Sequence, residues 1–351
     1  MKIKTYIEEL EAYVPGFQPD LNDPEVIKLN ANENAFLPSP KVFEALKNLE
    51  PNKLRLYPEA RSQELREAIA KVYNVNSDEV LCGNGSDEII ALIIKTFLAE
   101  GEKLATPYPT YTVYHSAASM EGVKCVFVKT DNEFKIDIPG LLNEKPEAIF
   151  MVNPNAPTGV LLATEEIKML LDKYDGLLVI DEAYMDFCTE DATMIKYINE
   201  YDNLIVLRTM SKSYSLCGAR VGYCFACKKL IAYLDKCRDS YNLDYISQTI
   251  ACAAVKDEVY HKETVKKVIE NRGYLSKELI AIGFEVIPSQ TNFLLCTPPK
   301  GRVASEIMKE LIKSKIYIRY FSSEMLDDKL RISVGTREEI DKLIKSLKDI
   351  L

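Results

Sequence analysis

The sequence contains little of what would place it in several broad classes of protein. Its 351 residues include only two histidines, His115 and His261, which disfavours a histidine-based metal site. No stretch approaches the roughly 18 to 20 unbroken apolar residues of a membrane-spanning helix. The net charge of −9 comes without a basic block, which disfavours nucleic acid as a partner. The first residues lack the apolar core and cleavage site of a signal peptide, so we expect a cytoplasmic protein.

Disulfide bonds are not expected either. The nine cysteines are an odd number, and several lie in apolar runs, which is typical of reduced thiols in a core. Cys224 and Cys227 have the spacing of a redox or metal pair, but they follow a strand-like run and there is no second pair. We therefore predict a structural role for both.

The most informative segment runs from Arg208 to Arg220 and places a lysine between two serines. Lys212 could form a Schiff base with a carbonyl compound. The hydroxyls of Ser211 and Ser213, together with the guanidinium of Arg220, could bind a phosphate group. The alternative is a solvated loop after a buried strand. Segments upstream favour the first interpretation.

An acidic residue ends an apolar run 31 positions earlier. Residues 177–180 are continuously apolar, which predicts a strand buried on both faces, and Asp181 follows at the strand end where α/β sheets place their chemistry. Asp181 could keep a pyridine nitrogen protonated, and Tyr184 could hydrogen-bond a ring hydroxyl. The alternative is an acid that caps the next helix.

Two turns add candidate ligands. The Pro-rich turn at residues 153–159 is expected to leave the Asn155 amide free to face a ligand, although such turns are more often only turns. Gly83 and Gly85 precede Ser86 and Asp87 at the start of an apolar-periodic helix, where free main-chain N–H groups form an anion site. Neither the dinucleotide fingerprint nor the P-loop pattern is complete, so the anion would be one small phosphate.

Together these motifs resemble the fold type I pyridoxal-phosphate enzymes, and within them the histidinol-phosphate aminotransferase branch. The resemblance covers nearly the whole chain in family order, through Leu29-Asn-Ala-Asn-Glu-Asn34, Arg55-Leu-Tyr-Pro-Glu59, Pro109-Thr-Tyr111, Asn153-Pro-Asn-Ala-Pro-Thr-Gly159, Asp181-Glu-Ala-Tyr184, Ser211-Lys212, Thr291-Asn-Phe293 and Leu330-Arg-Ile-Ser-Val-Gly-Thr336.

The resemblance implies an α/β fold of the fold type I pyridoxal-phosphate-dependent transferases. A large domain, residues 30–245, would hold a mostly parallel seven-stranded sheet between helices. Residues 1–29 and 246–351 would form an N-terminal arm and a smaller α+β domain. The family also implies a homodimer with shared active sites.

The resemblance further implies the cofactor, pyridoxal 5'-phosphate, and the residues that hold it. Lys212 would bind it covalently, Asp181 would pair with the pyridine nitrogen, and Tyr184 would contact the ring hydroxyl; these three form the expected catalytic set. The remaining contacts would come from Asn155 at the hydroxyl, Tyr111 on the ring, Ser86, Asp87, Ser211 and Arg220 at the phosphate, and Tyr57 of the neighbouring subunit.

On the substrate side the resemblance implies that Arg331 binds the substrate carboxylate, with Arg319, Tyr13 and Asn34 nearby. Arg319 could instead be the polar member of an alternating strand, and Tyr13 could anchor an N-terminal arm. Phe17 replaces the lysine or similar residue common in the family, a departure that bears on substrate choice.

The implied reaction is transamination between L-histidinol phosphate and 2-oxoglutarate, which gives imidazole-acetol phosphate and glutamate. Two other interpretations stay open. An aromatic amino-acid aminotransferase would need no phosphate contact from Arg319. A threonine-phosphate decarboxylase of cobalamin synthesis would use the same lysine to break a different bond.

Overall fold

The computed structural model describes residues 3–8, residue 10 and residues 17–351. Within this part of the chain the strands are β1 (Ile27–Leu29), β2 (Val80–Gly83), β3 (Lys103–Tyr108), β4 (Lys124–Lys129), β5 (Ala148–Val152), β6 (Leu177–Asp181), β7 (Leu204–Thr209), β8 (Gly222–Ala226), β9 (Glu285–Val286), β10 (Phe293–Thr297), β11 (Ile316–Tyr320) and β12 (Leu330–Ser333).

Helices alternate with the strands over the first two thirds of the described chain and frame them afterwards. They are α1 (Thr5–Glu8), α2 (Pro40–Lys47), α3 (Gln63–Tyr73), α4 (Gly85–Phe97), α5 (Val113–Met120), α6 (Ile138–Asn143), α7 (Thr164–Leu171), α8 (Lys228–Cys237), α9 (Tyr245–Val255), α10 (Glu258–Ala281), α11 (Ala304–Lys313) and α12 (Arg337–Ile350). None of the helices in the described ranges has the length and apolarity needed to cross a bilayer.

The larger sheet has seven strands among the described residues, in the order β2-β8-β7-β6-β5-β3-β4. Strands β3 to β7 pair in parallel, whereas β8 runs antiparallel to both of its neighbours, β2 and β7. Successive residues of β5 alternate between two hydrophobic clusters, because helices cover both faces of the sheet. The predicted fold class, an α/β protein with a mostly parallel seven-stranded sheet between helices, is confirmed.

A smaller sheet has the order β1-β11-β12-β10-β9. Its strand β1 comes from the N-terminal part of the chain and pairs in parallel with β11, while the other pairs are antiparallel. The two ends of the chain therefore meet in one α+β layer. The division at residues 30–245 stays a prediction.

The described cysteines carry no disulfide bond. Four of them are buried, namely Cys82, Cys224, Cys252 and Cys296, whereas Cys125 is half-buried and not a full core residue. Cys224 lies inside β8 and Cys227 just after it, which agrees with the predicted structural role.

Candidate active site

The site lies at the carboxyl edge of the parallel strands, where the chain leaves β6 and β7. Asp181 is the last residue of β6, and Lys212 follows the end of β7 by three residues. Because neighbouring parallel strands end at the same edge, these two groups face a common cleft. That cleft, of about 580 Å³, is lined by most of the predicted cofactor residues: Ser86, Asp87, Tyr111, Asp181, Tyr184, Ser211, Lys212 and Arg220.

One end of the cleft is a cradle of main-chain N–H groups and a guanidinium. Helix α4 begins at Gly85, whose φ of +82° is a conformation that glycine adopts without strain. Gly222 of β8 packs so closely that a Cβ on it would overlap the Ser86 main-chain nitrogen. Arg220 reaches the same helix start and pairs with Asp87 at 3.1 Å. The arrangement suits a small anion such as a phosphate.

Asp181 is a buried carboxyl group, only 3% exposed. It accepts hydrogen bonds from the Tyr114 hydroxyl at 3.1 Å and from the Ala183 main-chain N–H at 3.0 Å. Burial raises the pKa of Asp181 to about 6, and the negative charge of Asp87 adds to the rise, although both hydrogen bonds and Lys212 oppose it. A cationic partner in the cleft would favour the ionised form.

Tyr184 and Lys212 both line the cleft. The Lys212 ammonium is 5.8 Å from the centre of the Tyr184 ring. The Tyr184 hydroxyl accepts a hydrogen bond from the side-chain amide of Asn32 at 3.1 Å. Tyr111, which also lines the cleft, donates its hydroxyl to Asp87 at 2.9 Å, and burial raises its pKa far above the usual value. Both tyrosines are therefore held in fixed orientations at the cleft.

Two sequence-based expectations about side-chain direction are wrong. The Asn155 amide nitrogen is not free, because it donates to the Pro109 carbonyl at 3.1 Å and to the Thr158 hydroxyl at 2.9 Å. Ser213 does not offer its hydroxyl to the anion cradle. It is buried and donates to the carboxylate of Asp186 instead.

Asn34 contacts the lysine segment and does not line the cleft. Its side-chain amide donates to the main-chain oxygens of Lys212 at 3.0 Å and of Ser213 at 3.2 Å. In this structure it therefore orients the lysine, which corrects its expected place among the substrate contacts. Asn32, two residues earlier, donates a hydrogen bond to the Tyr184 hydroxyl, and the sequence analysis did not identify it as a site residue.

A second, wider cleft of about 1210 Å³ adjoins the first and shares Tyr111, Tyr184 and Lys212 with it. Arg319 of β11 and Arg331 of β12 line it and stand directly opposite each other in the strand register. Both guanidinium groups lie over the Phe321 ring, at 5.1 and 5.4 Å from its centre. Arg331 also donates to the Asn30 main-chain oxygen at 2.9 Å.

The outer wall of this second cleft is aromatic. Phe17 lines it, is 63% exposed, and stacks on Tyr317 with ring centres 5.4 Å apart. The position of Tyr13 lies outside the described residues.

Tyr57 is not part of the cleft of its own chain. It is 80% exposed and stacks on Tyr241 with ring centres 4.4 Å apart.

The sequence is similar to known proteins over almost its full length. The model of the family "Aminotransferase class I and II" matches residues 24–347. The histidinol-phosphate aminotransferase of Syntrophotalea carbinolica is 42% identical over 349 residues, which cover 98% of each chain. Histidinol-phosphate aminotransferase 1 of Trichormus variabilis is 39% identical over 348 residues, 99% of this chain and 98% of that protein.

A solved structure agrees with this assignment. The crystal structure of histidinol-phosphate aminotransferase from Sinorhizobium meliloti in complex with pyridoxal-5'-phosphate superposes with a TM-score of 0.89 at 25% identity, covering 100% of this chain and 98% of that one. The chain belongs to the class I and II aminotransferase family, in its histidinol-phosphate aminotransferase branch.

Proposed function

We propose that the protein is a pyridoxal-phosphate-dependent aminotransferase that exchanges an amino group between L-histidinol phosphate and 2-oxoglutarate, the reverse of the direction in which this step runs in histidine biosynthesis. The observation that carries the substrate assignment is the pair of arginines, Arg319 and Arg331, facing the same cleft as Lys212. The names of the full-length relatives support the same reaction.

The residues present fit the cofactor. The cradle at the start of α4 has room for main-chain contact because Gly85 and Gly222 carry no side chain. Ser211 and Arg220 would complete the phosphate contacts, Lys212 would bind the cofactor covalently, and the buried Asp181 suits a protonated ring nitrogen. When bound, pyridoxal phosphate supplies an electron sink that stabilises negative charge at the α-carbon of an attached amino compound.

The chain's own residues divide the remaining tasks. The Lys212 amino group moves a proton at the substrate α-carbon, and Asn34 holds the main chain on which that amino group stands. Asp181 is shielded from water, and its carboxylate would pair with the protonated ring nitrogen of the cofactor. Tyr184, whose hydroxyl is held by the Asn32 amide, would contact the ring hydroxyl of the cofactor.

The arginine pair explains how one cleft accepts both substrates. Two like charges directly opposite each other on neighbouring strands repel, and an anion placed between them is attracted by both. Histidinol phosphate carries a phosphate and no carboxylate, whereas glutamate carries two carboxylates, so each substrate brings anionic oxygens to Arg319 and Arg331. Arginine binds both kinds of group with two parallel hydrogen bonds. An aromatic amino acid would bring a single carboxylate of charge −1, whereas a phosphate carries about −1.5 to −2 near pH 7 and has three acceptor oxygens to share between the two arginines.

We also infer a cytoplasmic homodimer in which Tyr57 reaches the phosphate site of the other subunit. Leu54, Leu56 and Tyr57 are all more than half exposed on one rigid, Pro-flanked loop. Apolar side chains clustered in this way favour a protein interface. Sedimentation at micromolar concentration tests the dimer, and a monomer with full cofactor affinity would contradict it.

The substrate assignment is tested by absorbance after rapid mixing. The cofactor-loaded protein is mixed separately with histidinol phosphate, phenylalanine, tyrosine and threonine phosphate, and conversion to the pyridoxamine form is followed. We expect fast conversion with histidinol phosphate alone. Preference for phenylalanine and tyrosine would indicate an aromatic aminotransferase, and carbon dioxide release from threonine phosphate would indicate a decarboxylase.

Matched variants make this test specific. Arg319→Ala removes charge-assisted hydrogen bonds to the phosphate, so we expect kcat/KM for histidinol phosphate to fall on the order of 100-fold. Arg302→Ala removes an exposed arginine from the loop before α11 and should leave kcat/KM unchanged. Equal effects of the two variants would contradict the proposed substrate site.

A further inference from the structure

A buried charge network lies behind the lysine segment, outside both clefts. Arg208, in β7, is 4% exposed and Glu182, just after β6, is fully buried. The Arg208 guanidinium lies 2.9 Å from a Glu182 oxygen and 2.7 Å from an Asp186 oxygen. Glu182 also accepts hydrogen bonds from the Thr193 hydroxyl and the Met194 main-chain N–H. The network thus ties the ends of β6 and β7 together.

Asp186 extends this network to the residue beside the catalytic lysine. The Ser213 hydroxyl donates to the second Asp186 oxygen at 2.5 Å. The His261 ring nitrogen lies 3.7 Å from the same oxygen, and the His261 ring stacks on Tyr214. Burial works against the charged form, but Arg208, His261 and Ser213 together hold the pKa of Asp186 below its usual value. Ser213 therefore donates to a carboxylate that stays ionised at neutral pH.

The lysine segment is consequently held from two directions. From the side of the small sheet, the Asn34 amide donates to the main-chain oxygens of Lys212 and Ser213. From the large sheet, Asp186 holds the Ser213 side chain. Asp186 belongs to the same short segment as Asp181 and Tyr184, which face the cleft. A contact between Asp186 and Ser213 therefore fixes the lysine segment relative to both of those groups.

We propose that Asp186 is a positioning residue for the reaction, acting through the Ser213 hydroxyl to set the place of the Lys212 amino group relative to Asp181 and Tyr184. Arg208 anchors the Asp186 carboxylate for this task. The kinetic and cofactor-binding tests of this inference rest on the proposed function. The test in cofactor-free protein does not depend on it.

Two variants break the contact differently. Ser213→Ala removes the hydroxyl and keeps both charges of the Arg208 pair, so the fold is preserved even if Asp186→Asn disturbs it. A hydrogen bond to a charged group contributes enough that losing it changes an equilibrium about tenfold or more. We expect each variant to lower kcat about tenfold, to weaken pyridoxal-phosphate binding about tenfold, and to leave KM for the amino donor within about twofold.

The spectroscopic readout separates positioning from general stability. The pH midpoint of the absorbance change of the lysine-bound cofactor should shift in Ser213→Ala and Asp186→Asn, because the lysine has moved relative to Asp181 and Tyr184. Ser213→Thr, which keeps the hydroxyl, should restore the midpoint. Asp191→Asn, a control at a side chain 69% exposed and paired with Lys196, should behave like the natural protein.

A double-mutant cycle decides whether the two residues act as one unit. The kcat of the double variant should be no lower than that of the less active single variant, because the second change removes a contact that is already broken. Multiplied effects would overturn the proposal, as would variants that lose thermal stability while keeping kcat and the pH midpoint.

Hydrogen exchange of residues 210–216 in cofactor-free protein tests the role of Asp186 independently of the proposed function. Faster exchange in both variants, and not in Asp191→Asn, is expected, and unchanged exchange would contradict the inference. If the natural protein bound no pyridoxal phosphate, the proposed function would fail while the exchange result still decided the role of Asp186.

Discussion

Replacing Asp181 with asparagine should stabilise the cofactor-free protein while it damages the loaded one. Burial raises the pKa of Asp181 from 3.8 to about 6. The folded chain therefore binds more protons than the unfolded chain between about pH 4 and pH 6, and its stability falls as pH rises through that window. Above about pH 6 the folded protein carries the full free-energy cost of ionising the buried Asp181 carboxyl group. Asparagine has nearly the same shape and no charge, so it avoids this cost.

The size of the effect follows from the shift. About two pKa units at 1.36 kcal/mol each give about 3 kcal/mol at pH 8. At pH 4.5 most of the difference has gone, and about 1 kcal/mol remains. For a chain of this length, 3 kcal/mol corresponds to a rise in Tm of about 4 °C. The Tyr114 hydroxyl, which donates to Asp181, can turn to accept from an amide instead, so the new amide nitrogen keeps a partner.

Thermal unfolding of the cofactor-free proteins at pH 4.5 and pH 8 measures the difference. Asp191→Asn serves as the exposed control and should change Tm at neither pH. Adding pyridoxal phosphate should reverse the order at pH 8, because the natural protein gains more from binding than the variant. An equal stability difference at both pH values, or a less stable Asp181→Asn protein at pH 8, would refute the account of Asp181 as a buried carboxylate kept for the cofactor.

Three other changes test separate parts of the site. Arg331→Lys keeps the positive charge but loses the two parallel hydrogen bonds that a guanidinium makes to a carboxylate. Steady-state kinetics should therefore show the KM for glutamate raised about tenfold, with cofactor affinity unchanged. Tyr57→Phe should weaken pyridoxal-phosphate binding about tenfold in an equilibrium titration, and an unchanged affinity would argue against a shared site. Gly222→Ala should cost about 1 to 3 kcal/mol in thermal unfolding through its overlap with Ser86, whereas Gly218→Ala, with nothing within 4 Å of the added methyl, should cost little.

Much of the larger sheet was predictable because its central strands are almost entirely apolar. Residues of β5, β6 and β7 are almost all buried, since helices cover both faces of the sheet. Such a buried strand can be recognised from its own apolar residues, without knowing which strands lie beside it. The antiparallel direction of β8 was not predictable in the same way. A strand buried on both faces has the same apolar pattern in either direction, and only its pairing with β2 and β7 fixes which way it runs.

The placement of Lys212, Asp181 and Tyr184 in one cleft was also predictable, because each lies at or just after the carboxyl end of one of the parallel strands of the same sheet. Asn155 follows β5 in the same way, yet its amide turns inward to Thr158 and the Pro109 carbonyl. Position along the chain predicts the edge of the sheet to which a residue belongs. The direction of a side chain in a turn depends on partners that are distant in sequence.

Ser211, Lys212 and Ser213 show the same limit within three consecutive residues. The first two line the cleft, while the third points to the opposite side and meets Asp186. The sequence did hold a signal for that second direction. Arg208 lies in a strand whose first four residues are apolar, and a buried charged side chain is usually paired. Two acids follow the neighbouring strand and are candidate partners of Arg208, but only the folded structure shows that they lie behind the lysine segment.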